Sequence, residues 1–430
     1  VNSIRTLEIR HRVVGPVIAL GERVRSLGEI LTRLPWPRSV RHAKKQAVIL
    51  ASLLWIAAAV VGFTGPGNRS IAGPLKGADF VHFYTLGHVA ASGQVDTIYD
   101  MKALYAAQVA LVPESAPDHY PTVYPPQAAL LFTPFSGWSY LTALLVWNVL
   151  TIALYGLIVW SAWRRVSGQL SDTRLIIAAA AAFPPFWSLI VYGQITIVIL
   201  AAFWLGWLAL ERRQSFLAGA AFGLLALKPQ FGIPLAAVVL ACGEWRMLTG
   251  AVSAVAAQAL VIWFAFGSTV FTAFARSLRI TVTYADWLES KPYMSHSLRA
   301  VTRLLPNWVG LPLWMALCAV VLWYTVRVWR TEAPVRVRLG VVMLASLLVN
   351  PHVIVYDVTL LALPLIWFGA YMLERGRHED APAFGVIVYW LFAALFMPTA
   401  AAIGVQASVP LMVGLLLCIA RAVATEQLRT

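Results

Sequence analysis

The amino-acid sequence predicts an all-helical membrane protein with about twelve crossings and a large first outer loop, and three observations carry that reading. Of 430 residues, 60% are hydrophobic and 12% charged, with a mean hydropathy of +0.74, whereas soluble domains run to about 25% charged. Apolar runs of roughly 15 to 24 residues recur along the whole chain, near the roughly 20 needed to cross a bilayer. Between them, Arg/Lys clusters alternate with uncharged polar motifs, as expected of loops on opposite sides of a membrane. Helices follow, because a spanning segment must satisfy its own backbone hydrogen bonds.

The net charge of +14 does not point to nucleic acid. The cations cluster between hydrophobic runs instead of forming one basic surface. Cys242, Cys318 and Cys418 lie in or beside apolar segments without CxxC spacing, which supports neither a disulfide framework nor a zinc site.

Residues 1–45 form a basic segment, with Arg5, Arg10, Arg12 and Lys45 among ten cations against three glutamates. It is expected in the cytoplasm, either as a surface helix or as a tail. The first apolar run begins only after it, unlike the pattern of a cleaved leader. Residues 46–425 make the membrane domain. Its first crossing, 46–64, ends at Gly65-Pro66-Gly67, which stops a helix.

An outer loop, 65–125, follows and is too aromatic for disorder. Residues 128–135 are apolar but too short to span, so 126–137 reads as a half-helix dipping toward the membrane. A full crossing over 140–163 ends at Arg164-Arg165. Thereafter Arg174, Arg212, Arg246, Arg327, Arg336 and Arg375 mark inner turns. The outer turns are Tyr192-Gly193-Gln194, Lys228-Pro229-Gln230, the segment 267–309, Asn350-Pro351-His352 with Tyr356-Asp357, and 398–408. Both termini come out cytoplasmic.

Ionisable residues within membrane segments are costly, so they are either paired or working. Lys228 reads equally as a lysine reaching for the interface, and Asp357 as a structural hydrogen-bonding group. Gln194, Gln230 and Asn350 are read either as interhelical glue or as ligand contacts. All of them share one side with Asp79, His82, Tyr124, His352 and Tyr356, in a topology drawn only from the arginines. Arg276, Arg279, Lys291, Arg299 and Arg303 occur on that outer side against the charge rule. An interfacial amphipathic segment explains them, and so does a site for lipid phosphate, with Arg279 and Arg299 as contacts.

Transfer of a sugar from a polyprenyl-phosphate donor needs a base for the acceptor hydroxyl and positive charge for the departing phosphate. Asp79 suits the first requirement; Lys228, His352 and Arg279 or Arg299 suit the second. No acidic cluster has metal-ligand spacing, so neither metal nor other cofactor is expected. The rival reading from another class is a transporter or flippase of lipid-linked sugar, for which an inverted repeat would be expected. None is visible.

The motifs Gly77-Ala78-Asp79-Phe80, Ile98-Tyr99-Asp100, Tyr124-Pro125-Pro126, Trp147-Asn148, Gly193-Gln194, Leu227-Lys228-Pro229-Gln230 and Asn350-Pro351-His352 with Tyr356-Asp357, in that order, resemble glycosyltransferase family 87. The resemblance runs from about Asp79 to Asp357. It implies the GT-C fold and an inverting transfer, most readily of mannose, with Asp79 as general base and His352 near sugar or phosphate. A membrane lipid or glycan would be the acceptor, on the outer face of a bacterial plasma membrane, and a related pentose such as arabinose is the alternative sugar. The basic extension 1–45 lies outside the shared pattern.

Overall fold

The computed structural model describes residues 39–120, 123–166, 168, 170–283, 292–374, 381–396, 400 and 404–427. Most of the basic segment, Lys291 and much of the turn 398–408 lie outside these residues. Among the described residues the secondary structure is helical throughout, and the one β-bridge, Arg69 with Leu75, is isolated.

The first helix, α1 (Val40–Phe63), starts nearly two turns earlier than the hydropathy suggests. Ser39 caps it, its Oγ accepting from the His42 N–H, and Lys44 within that extra length pairs with Asp172 at 2.7 Å. Only 6% of its apolar window is buried inside the protein, so α1 lies on the rim of the bundle. Trp55 ties it inward, donating to the Ala181 carbonyl at 3.0 Å.

Where a loop is expected over 65–125, the chain is largely helical: α2 (Phe80–Ala91), a 3-10 turn (Val95–Tyr99) and α3 (Met101–Leu111). Asp79 immediately precedes α2, and nearly all of α2 is buried. The short α4 (Gln127–Phe132) continues into a 3-10 turn (Thr133–Phe135). At about 1.5 Å per residue these nine residues cannot cross a bilayer. They pack under α2 instead, where the backbones meet so closely that a Cβ on Gly87 would stand 2.3 Å from the Phe132 carbonyl oxygen.

The next helix, α5 (Tyr140–Arg164), is a full crossing. It is followed by α6 (Thr173–Ala181) and α7 (Pro184–Tyr192), bent by 44° at Pro184-Pro185. Then come α8 (Thr196–Glu211), α9 (Ser215–Phe222), α10 (Pro229–Cys242), α11 (Trp245–Phe266), α12 (Thr269–Thr283), α13 (Leu298–Thr302), α14 (Asn307–Trp329) and α15 (Val335–Val349). The chain closes with α16 (Ala362–Glu374), entered through a 3-10 turn (Val355–Leu361), then α17 (Ala381–Phe396) and α18 (Ser408–Gln427).

Among the described residues six helices are long and apolar enough to cross a membrane, or up to seven if the bent pair α6–α7 is one span. Four further apolar helices are shorter. The expectation of about twelve crossings goes further than these lengths do.

The centre of the bundle is α15. Its residues from Leu339 to Val349 are all buried, as expected for a helix apolar on every face. It packs against α10, α14, α16 and the turn before α16. The helices α8, α10, α14 and α15 all run between two ends. At one end Arg330 donates to the Ala241 carbonyl, Arg338 to the Trp329 carbonyl, and Arg336 pairs with Glu374. At the other end lie Gln194, Lys228 and Asn350, which is where the candidate site forms.

Candidate active site

Two left-handed glycines bring Asp79 to the bundle. Gly193 (φ +68°) ends α7, its N–H donating back to Leu189 and Ile190, and Gly77 (φ +64°) turns the chain just before Asp79. The Asp79 N–H then donates to the Tyr192 carbonyl at 3.1 Å. No side chain fits between the two turns, since a Cβ on Gly193 would lie 2.6 Å from the Phe80 Cβ. Tyr140 holds the same turn from below, its hydroxyl donating to the Lys76 and Gly77 carbonyls at 2.6 and 2.8 Å.

Gly193→Ala combines a strained φ with that clash. It is therefore expected to shift the Asp79 turn and lower catalytic rate about 100-fold, a cost on the order of that of a 1 Å misplacement. Steady-state kinetics of the folded variant measures it.

The Asp79 side chain is half-buried. Gln194 Nε2 donates to Asp79 Oδ2 at 2.7 Å, and Tyr356 and Lys228 stand near enough to stabilise the charged carboxylate. Burial pushes the carboxyl above the usual range, while the Gln194 hydrogen bond, the Lys228 charge and Tyr356 pull it back. A carboxyl held this way is suited to taking a proton near neutral pH.

The other acidic candidates are occupied or remote. Asp100 caps α3, accepting from the Lys102 and Ala103 N–H groups at 2.9 and 3.0 Å. Asp96 is exposed on the Val95–Tyr99 turn. Asp357 is buried against Lys228, Nζ to Oδ1 2.8 Å, with the two side chains 4% and 3% exposed.

Thr196 closes that pair into a triangle. It donates to Asp357 at 2.6 Å and accepts from Lys228 at 3.0 Å. Lys228 was expected to meet a phosphate, but in this arrangement much of its charge serves Asp357. It also sits over the Tyr356 and Tyr124 rings, at 5.2 and 5.9 Å. Gln230, two residues on, is half-buried in the first turn of α10.

His352 and Asn350 form the opposite wall. Asn350 Oδ1 accepts from the His352 N–H at 3.0 Å, and its Nδ2 is buried without a partner. His352 is exposed; desolvation lowers its pKa, with Asp357 opposing and Lys228 and Arg303 reinforcing. It stands near enough to Asp357, Lys228, Arg303 and Asp79 to feel their charges.

Within that segment the two predicted phosphate contacts part company. Arg279 is exposed on α12. Arg299 is 8% exposed, lies 5.9 Å over the Trp314 ring, and keeps Nη1 buried without a partner. His82 is buried between the Tyr120 and Tyr124 rings, centroids 5.8 and 5.9 Å away, with a pKa held at about 4 by burial.

Sequence reasoning did not single out Thr196, Arg303 or the Ser295-His296-Ser297 turn for the site. The His296 N–H donates to the Val353 carbonyl at 2.7 Å and its ring bonds Ser408, so the turn braces the loop carrying His352. Thr196 stands two residues after Gln194, and that proximity was its only signal. Among the described residues no three His, Cys, Asp or Glu side chains converge as metal ligands.

Fold and site together define a polytopic helical membrane protein with two carboxylates at one end of the bundle, Asp357 buried against Lys228 and Asp79 held by Gln194. The model of glycosyltransferase family 87 matches residues 122–351, more than half of the chain, and the chain belongs to that family. It is a membrane glycosyltransferase. The match includes Tyr124, Gln194, Lys228, Gln230, Arg279, Arg299 and Asn350; His352, Tyr356 and Asp357 lie just past its end, and Asp79 and His82 well before its start. No curated protein and no solved structure matches the chain.

Proposed function

We propose that this protein moves a sugar, mannose first among the candidates, from a polyprenyl-phosphate donor to a hydroxyl of a lipid or glycan acceptor. The observation that carries the proposal is the Asp79 carboxylate, oriented by Gln194 while the neighbouring Asp357 is consumed by Lys228. The acceptor oxygen attacks the anomeric carbon, Asp79 takes the hydroxyl proton, and the phosphate leaves with the electrons of the glycosidic bond. Configuration inverts. The polyprenyl phosphate that leaves is a phosphate monoester and a weak base, so no general acid is required.

Arg299, with its unpartnered Nη1, and Arg303, whose charge reaches His352, supply the positive field for the phosphate. The reaction proposed needs no metal. A GT-C bundle of about twelve crossings, with the site outside, both termini in the cytoplasm and the whole in a bacterial plasma membrane, accommodates it. The positive-inside rule orients it: the end with Arg330, Arg336 and Arg338 faces the cytoplasm. The short helix α9, prolonged by the 3-10 turn Gly223–Leu227, and α10 meet at Lys228. At about 20 Å each they fall short of the roughly 30 Å hydrocarbon layer, which would recess that turn toward a lipid-borne donor.

The test is transfer of radiolabelled sugar by purified protein to a membrane lipid extract. Polyprenyl-phosphate-mannose is expected to label a glycolipid. Labelling from the arabinose donor alone would change the sugar but keep the reaction. Movement of either donor across a vesicle bilayer without any labelled product would overturn the proposal in favour of a transporter.

A further inference from the structure

The Gln194 amide has one orientation open to it. Its Oε1 lies 3.2 Å from the Ile195 backbone N–H and 3.3 Å from the Tyr124 hydroxyl, and its Nε2 lies 2.7 Å from Asp79 Oδ2. A backbone N–H can only donate. A flipped amide would therefore set NH2 against N–H on one side and oxygen against carboxylate on the other. Gln194 is 3% exposed, so water cannot make good either mismatch.

We propose that Gln194 is a positioning residue for Asp79, its locked amide pinning one carboxylate oxygen as acceptor so that the remaining lone pairs face the acceptor hydroxyl. This rests on the reading of Asp79 as the base. It moves Gln194, and with it the Tyr124 hydroxyl, from contacts with sugar to the machinery that aims the carboxylate. Tyr356, nearby, also favours the charged carboxylate.

A pH profile reads this directly, provided the neighbours are accounted for. The charged or titratable non-phenolic groups facing Asp79 are Lys228, Asp357 and His352. The first two are locked together, and the His352 pKa is lowered, so His352 titrates on the acid side as Asp79 does. The phenols of Tyr120, Tyr124, Tyr140, Tyr192 and Tyr356 also face it. Phenols stay neutral below about pH 10. The carboxyl band that Asp79→Asn removes therefore decides which part of the acid limb belongs to Asp79.

Removing a hydrogen bond to the charged form raises a carboxyl pKa, and adding a like charge raises it further. Gln194→Ala is expected to move the acid limb up by about one pH unit and to lower kcat at neutral pH about 10- to 100-fold, with donor KM within about twofold of wild type. The near-isosteric Gln194→Glu is expected to move the limb further the same way, and Tyr124→Phe less. The infrared carboxyl band that distinguishes wild type from Asp79→Asn, followed across pH, reports the same titration without turnover and is expected to shift alike in Gln194→Ala.

A rate loss equal at every pH with an unmoved band, or a raised KM at unchanged kcat, would overturn the assignment of Gln194. Retained turnover in Asp79→Asn would instead overturn the base itself, whatever Gln194→Ala does to the band.

Discussion

Asp79→Asn is expected to lower transfer by about 10³-fold or more, within or beyond the usual worth of a general base, while leaving the fold intact. Asparagine matches aspartate in shape, and its oxygen can still accept from Gln194 Nε2, so the turn between Gly77 and Gly193 keeps its contacts. What it loses is the ability to take a proton. Kinetics with saturating donor, set beside the thermal unfolding midpoint of the same preparation, separates the two effects. An unchanged midpoint with turnover near wild type would remove Asp79 from the chemistry.

The wild-type profile carries a related expectation. A base works only when deprotonated, and burial raises the Asp79 pKa. Activity should therefore begin to fall, as pH drops, above the usual carboxylate range.

The second large effect is on stability. Lys228→Met leaves Asp357 buried without its counter-charge, and breaking a buried pair from one side costs about 3–5 kcal/mol. With both partners nearly inaccessible, solvent offers little relief. Replacing both, Lys228→Met with Asp357→Leu, should recover most of the loss, because a buried ion pair exchanged for apolar groups is often close to neutral. Denaturation midpoints of the two single variants and the double variant measure the coupling. If Lys228→Met changed donor KM without lowering the midpoint, the lysine would be a phosphate contact, as first expected from its place on the outer side.

Much of the architecture was legible before any coordinates. Hydrocarbon admits only helices or closed barrels, so apolar run length announces helices directly, and the 140–163 crossing is off by one residue at its end. The helical content of 65–125 was not legible, because α2 buries nearly every residue and shows no amphipathic period. Its helix is recognisable only once α4 and α5 are seen to cover it.

The division at the site follows from distance along the chain. Residue types and their order determined by themselves the family resemblance, the membrane class and Asp79 as the candidate base. Only the tertiary structure decided which polar groups meet: Gln194 with Asp79 across 115 residues, Lys228 with Asp357 across 129, and Thr196 with Asp357 across 161. Spacing can place a lysine and an aspartate on one side of a membrane. Whether their charges neutralise each other or face a substrate depends on packing that brings side chains within 3 Å, and no local pattern encodes that.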